Sequence, residues 1–196
     1  MKRILCKILI LVLTFNFYIN AQNLKKYFPE QLFSKSTEDY YSSFFDTFDS
    51  VSIMSLEQGH NELRFSCIES MTVSYIIKIH WTNHTRNMEL IVENSPNRRI
   101  NVKITKKELK ELLLLLSEYD FYNQDTQKIV LGGRDGADYI LEANIDGKYK
   151  IVSRWGPPYE EYMCHIHEFL LNKIGGQAVI NSEGEKVWNL IEWIEE

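Results

Sequence analysis

Residues 132–158, GGRDGADYILEANIDGKYKIVSRWGPP, are the most distinctive chemistry-bearing segment of this 196-residue sequence. Arg134, Asp135, Asp138, Glu142 and Arg154 place charges of both signs beside Gly132-Gly133, where a missing Cβ would let a ligand approach the backbone closely. The run fits neither the phosphate-cradling P-loop nor the dinucleotide fingerprint. Asp135 and Asp138 lack the further oxygen ligands and the closing glutamate of an EF-hand. The plainer reading is a turn loop, in which Asp and Gly serve backbone geometry and Arg154 clamps a carboxylate. The candidate binding residues are therefore Arg134, Asp135, Asp138, Tyr139, Arg154 and Trp155, and none of them is assigned a catalytic role.

A second group is Glu161, Cys164, His165, His167 and Glu168. On a helix, Glu161, His165 and Glu168 share one face, and glutamate with histidine can bind zinc. Tyr162, Met163, Ile166, Phe169, Leu170 and Ile174 form the apolar stripe, which puts those three polar residues on the solvent side. His165 and His167, two apart, diverge on a helix. A solvated face is the expectation, with no metal and no cofactor. His60, His80 and His84 are scattered, and the chain contains neither a Ser/His/Asp elbow nor HExxH. Cys67 alternates with Leu63 and Phe65 and so points toward a core, and neither Cys67 nor Cys164 is marked as an activated thiol. Whether the two pair is open at this stage, since a disulfide needs Cα atoms within about 7 Å.

The elements that must position these residues change period along the chain. Ser36 is expected to cap a helix running to about Phe48, with Tyr40, Tyr41, Phe44, Phe45 and Phe48 on one face. That face reads as core, not as an aromatic platform for a glycan or lipid. Residues 63–68, 73–81 and 88–93 alternate apolar and polar, the mark of half-buried strands, and 100–104 adds another. Short connections such as Thr82–Arg86 suit an antiparallel meander. Thr105 and Glu108 form a capping box for a helix whose leucines 109 and 112–116 predict substantial burial. Asp146-Gly147 is a type I′ hairpin signal. A two-residue loop sets Ile145 opposite Lys148, Leu141 opposite Val152 and Glu142 opposite Ile151. It sets Tyr139 opposite Arg154, in cation–π range, and Asp138 opposite Trp155 on the other face. A helix should begin near Tyr159, and residues 184–196 read as a final amphipathic helix. The predicted fold is α+β: a mainly antiparallel sheet, meander plus C-terminal hairpin, covered by three or four helices.

Asp135-Gly136, Tyr139-Ile140-Leu141-Glu142-Ala143, Gly147-Lys148-Tyr149, Val152, Arg154-Trp155 and Pro157, followed by Phe169-Leu170-Leu171, carry a resemblance. Over about residues 135–171 the chain resembles a recurring hairpin–helix element of small exported bacterial proteins. The resemblance implies a hairpin-then-helix unit and no particular activity.

At the N-terminus, Lys2, Arg3 and Lys7 precede an apolar run from Ile8 to Leu13, and Ala21 offers a small residue at a cut site. Residues 1–21 thus read as a secretory signal peptide, and 22–196 as one domain. Thr14, Asn16 and Asn20 interrupt the run, which argues against a retained membrane span. Cleavage removes three of the 22 basic residues and none of the 27 acidic ones, so the net charge goes from -5 to -8. Such a balance disfavours nucleic acid, whose binders neutralise phosphates. The 44% hydrophobic content excludes disorder. These features predict an exported, periplasmic or extracellular protein that is non-catalytic and binds an envelope or secreted protein or a ligand, in the manner of an immunity or inhibitor protein. The competing expectation is a small secreted hydrolase or metal-dependent enzyme built on residues 132–158 or on the His165 helix. Oligomeric state is not legible.

Overall fold

The computed structural model describes residues 27–29, 32–48, 50, 52–54, 56–69, 73–93, 99–128, 136–157, 161–175, 178–180 and 186–188. The signal-peptide reading of residues 1–21 lies outside them, as do Arg134 and Asp135. The described elements run α1 (Lys35–Thr47), β1 (Asn61–Glu69), β2 (Tyr75–Trp81), β3 (Arg86–Val92) and β4 (Arg99–Lys103). There follow α2 (Lys106–Glu118), a 3-10 turn (Phe121–Asn123), β5 (Gln127–Lys128), β6 (Ala137–Ile145) and β7 (Lys148–Trp155). α3 (Tyr162–Ile174) precedes a small hairpin of β8 (Ala178–Ile180) and β9 (Lys186–Trp188).

The fold is α+β. Seven strands form one sheet in the order β4-β3-β2-β1-β6-β7-β5. Every pairing is antiparallel except that of the two-residue β5, which lies parallel to β7. The meander β1–β4 and the β6–β7 hairpin meet along β1 and β6, where Phe65 lies opposite Leu141 and Arg64 opposite Glu142.

Helices cover both faces of this sheet. On one face, α2 and α3 pack on Leu63, Phe65, Tyr75, Ile77, Ile79, Leu90, Leu141 and Val152. On the other, α1 and the residues just before it lay Tyr27, Phe28, Phe33, Tyr41, Phe44 and Phe45 over Ile68, Ile76, Ile91, Ile140 and Ile151. The second layer explains why β1, β6 and β7 are not half-buried, as period-two alternation predicts. Their polar alternates, Arg64, Ser66, Glu142, Asn144 and Ser153, are buried as well. Fully burying an aromatic or large aliphatic side chain is worth about 1.5–3 kcal/mol. These two layers therefore supply much of the drive for folding.

Local chemistry accounts for the element ends. Thr105 Oγ1 accepts from Glu108 N at 3.2 Å while Glu108 Oε2 accepts from Thr105 N at 2.8 Å, completing the capping box. Hydrogen bonds from Thr105, then from Lys173, hold the Glu108 carboxyl at about 2. Asp146 (φ 51°) and Gly147 (φ 78°) both take the left-handed conformation that a type I′ turn needs. The β6–β7 register then matches every pairing expected from that turn. α1 departs from the expected start, because Ser34, not Ser36, caps it by accepting from Thr37 N at 3.3 Å. Its core face is as predicted apart from Tyr40, which is 52% exposed. The leucine-rich α2 lies on the sheet as an outer layer: Leu109, Leu112 and Leu116 are buried, and Leu114 is 55% exposed.

Two further expectations are corrected. α3 begins at Tyr162, not near Tyr159: Glu161 before it is extended (φ -73°, ψ 141°), and its carboxylate accepts from Arg154 instead of capping the helix. Lys186–Trp188 is a strand paired with Ala178–Ile180, not the first turn of a final helix; the rest of that predicted helix lies outside the described residues.

Candidate functional site

The structure separates the residues that the sequence groups together. Tyr139 and Arg154 pair across the hairpin on the face covered by α2 and α3, whereas Asp138 and Trp155 pair on the face covered by α1. Arg154, 1% exposed, is a structural post. Its Nε donates to Glu161 Oε1 at 2.8 Å, and its Nη1 donates to the carbonyls of Asp125 at 3.0 Å and Ser153 at 2.8 Å. The guanidinium thereby ties residues 124–126 and the start of α3 to β7, and β5 gains its pairing through Ser153 N donating to Thr126 O at 2.7 Å. The clamped carboxylate of the plainer reading is Glu161. The expected cation–π contact with Tyr139 is replaced by one with Tyr162, whose ring centroid lies 5.9 Å from the guanidinium carbon. Trp155 is half-buried beside Gly136.

Tyr139 belongs to a buried aromatic and polar group that sequence spacing did not single out. The His167 ring stacks on Phe65 with centroids 5.0 Å apart and planes at 2°, and lies 5.0 Å from Tyr139. Its Nε2 shares a hydrogen bond with the Tyr75 hydroxyl. Burial drives the His167 pKa down to about 3, so the ring is neutral inside the fold. The signal was present as a helical stripe, since His167 sits four residues after Met163 and three and four before Leu170 and Leu171. All of these are buried, while Phe169 is only partly so. Cys67 lies fully buried nearby as a thiol, its Sγ donating to Glu69 at 3.7 Å, so it makes no disulfide with Cys164. Burial pushes that thiol well up, away from nucleophilic behaviour.

On the α1 face, the Tyr41 hydroxyl lies 2.7 Å from Ser153 Oγ, with the Asp138 side chain on the same face. Burial raises the Asp138 carboxyl to about 6. One row further along the strands, Arg64 Nη1 donates to Glu142 Oε2 at 3.3 Å, with both side chains 1% exposed. Arg64 Nη2 reaches Glu62 at 3.4 Å, and Tyr149 donates to Glu142 at 2.9 Å. The Arg64 guanidinium lies 5.2 Å from the Phe45 ring centroid, under α1. Burial raises the Glu142 carboxyl against the pull of Arg64.

The polar residues of the second group also diverge. Glu161 is spent on Arg154, and His165 Nδ1 lies 2.5 Å from the Tyr119 hydroxyl. Among the described residues no three His, Cys, Asp or Glu side chains converge as a metal site.

A cleft of about 340 Å³ lies elsewhere, between the C-terminal end of α2, the 3-10 turn and the β6–β7 turn. It is lined by the apolar Leu113, Leu116, Phe121 and Ile145 together with the polar Ser117, Asp120, Asn123 and Lys148. Lys148 Nζ sits 4.0 Å from the centroid of the Tyr122 ring, another wall of the cleft. Asp120 takes the left-handed conformation (φ 51°) that turns the chain out of α2, and its carboxylate accepts from Asn123 at 2.8 Å. The volume falls at the small end of the ~300–1,000 Å³ usual for ligand sites. Its only trace in the sequence is the excess width of the leucine run.

Among the described residues no helix is long and apolar enough to cross a membrane. The chain matches no protein-family model, and comparison with curated proteins likewise gives no match.

Proposed function

We propose that the chain is an exported protein that binds another envelope or secreted protein, or a ligand, and catalyses no reaction; an immunity or inhibitor protein is the specific form. The observation that carries this reading is the cleft beside α2, whose lining combines apolar residues with four polar side chains. Recognition sites have this make-up, with apolar contact for affinity and a few polar groups for orientation. The use of charge elsewhere supports it. Arg154, Glu161, Arg64 and Glu142 are engaged with one another or with backbone carbonyls, so they hold the fold and present no reactive group. The N-terminal basic and apolar run supports export.

A photocrosslinking residue in place of Ser117, in the cleft lining, tests this in the native envelope. The expected result is one discrete protein adduct that is lost when Leu113→Trp fills the cleft, on material whose N-terminus is Gln22. Recovery of the chain from the cytosol with Met1 intact, and no adduct from any lining position, would overturn it.

The hydrolase reading retains one favourable observation, the Tyr41–Ser153 hydrogen bond on the same face as Asp138, whose carboxyl burial raises to about 6. Turnover of an ester or peptide substrate that disappears in Asp138→Asn would establish it in place of the binding role.

A further inference from the structure

β4 ends the sheet, and among the described residues no strand pairs with its outer edge. Its five residues alternate: Arg99, Asn101 and Lys103 are exposed, whereas Ile100 and Val102 are half-buried against the core under α2 and α3. Register places Arg99, Asn101 and Lys103 on the same face as Ile91, Glu89 and Asn87. The Lys103 end of this strip lies beyond α1, since Asn87 and His80 are exposed there, whereas Ile91, opposite Arg99, is packed in the layer under α1. Among the described residues the edge thus offers unpaired backbone groups, two cations four residues apart on one face, and two apolar side chains on the core side. Arg99 donates to Glu89 at 3.2 Å in an exposed pair of small worth, and Lys103 makes no ion pair among the described residues.

We propose that β4 takes an extended segment of a partner protein as an added strand, with carboxylates facing Arg99 and Lys103 and branched apolar side chains facing Ile100 and Val102. Backbone pairing supplies affinity in this mode, and alternate side chains supply selection. Charge complementarity favours an acidic strand, because a basic one would put like charges directly opposite Arg99 and Lys103. The same cations would turn the strand away from neutral, self-pairing edges. The idea rests on the binding-protein reading and adds to it the chemistry of the partner.

The probe is a nine-residue peptide with the central run Glu-Val-Gln-Ile-Glu, titrated at low ionic strength into the isotope-labelled protein, with a Lys-Val-Gln-Ile-Lys peptide as its counterpart. The acidic peptide should protect β4 amides from exchange and shift their resonances, and the basic one should bind at least about tenfold more weakly. The paired substitutions Arg99→Glu and Lys103→Glu, both at exposed positions, should reverse that preference while leaving the folded spectrum elsewhere unchanged. Equal binding of the two peptides, a preference that survives the reversal, or shifts confined to the cleft beside α2 would each overturn the proposal. A partner crosslinked through Ser117 alongside a silent β4 would sink this inference and leave the binding role standing. Silence at both places would sink both.

Discussion

Replacing His167 by Gln should change the pH dependence of stability by an amount set by the burial of the ring. In the fold, burial lowers the His167 pKa from 6.5 to about 3, and the ring is hydrogen-bonded to the Tyr75 hydroxyl. Above 6.5 neither folded nor unfolded chain protonates the ring, and His167 contributes no slope. Below 6.5 the unfolded chain takes up a proton that the folded chain refuses, so stability falls as pH falls, down to about 3. Each pH unit in that window costs about 1.4 kcal/mol, so moving from about pH 7.5 to about pH 5 removes roughly 2 kcal/mol. Gln keeps a hydrogen-bonding partner for Tyr75 but does not titrate. Its loss of stacking on Phe65 lowers stability by the same amount at every pH. Urea unfolding followed by tryptophan fluorescence at both pH values gives the free energy of each protein. Subtracting variant from wild type cancels every other titrating group. The difference should shrink by roughly 2 kcal/mol between the two conditions. A difference that stays constant within about 0.5 kcal/mol would mean that the ring is charged or open to water in the native state, and the packing of α3 on β1 would have to be redrawn.

Three other outcomes are expected. Arg64→Met or Glu142→Leu alone should destabilise by about 3–5 kcal/mol, by stranding a buried charge, and the double variant by clearly less than the sum of the two; additive losses in denaturant unfolding would refute a direct pairing. Asp138→Asn should leave stability unchanged near about pH 4 and raise it above about pH 6, because a carboxyl raised to about 6 favours the fold when protonated and loses that advantage as pH climbs from about 3.8 to 6; a variant less stable than wild type at neutral pH would contradict this. Thr105→Ala should cost about 1 kcal/mol through loss of the α2 cap and should release the Glu108 carboxyl upward from about 2, both readable by thermal unfolding and carboxyl NMR titration.

The hairpin register, the capping box and the core face of α1 were legible because each is written in neighbouring residues. Asp146-Gly147 dictates a turn, and the turn dictates every pair outward from it to Asp138 and Trp155. The second helical layer was not legible, because alternation reports only that two faces differ, not whether the polar one meets water. Arg64, Glu142 and Ser153 look like surface residues until α1 is laid over them. The candidate site suffered for the same reason. Arg154 reads as a charged binding residue in one dimension, but its partners, Asp125 and Glu161, come from the segments on either side of the hairpin. His167 was hidden by its residue type, although its position among Met163, Leu170 and Leu171 marked it as core. The cleft arises where α2, the 3-10 turn and the hairpin turn converge, and no local pattern encodes that meeting.

The pairing of β1 with β6 has a consequence for how the molecule is made. Strands β1 to β4 can zip together as soon as they are available, but the inner edge of β1 finds its neighbour only when Leu141 comes to lie against Phe65, much later in the chain. Until then a row of free amides and carbonyls flanked by Leu63, Phe65 and Cys67 stands open in a half-built sheet. Closing so long a loop is slow, and an edge of that kind invites pairing with a neighbour's. Until residue 145 has been made, the inner edge of β1 is therefore open to pairing with another chain.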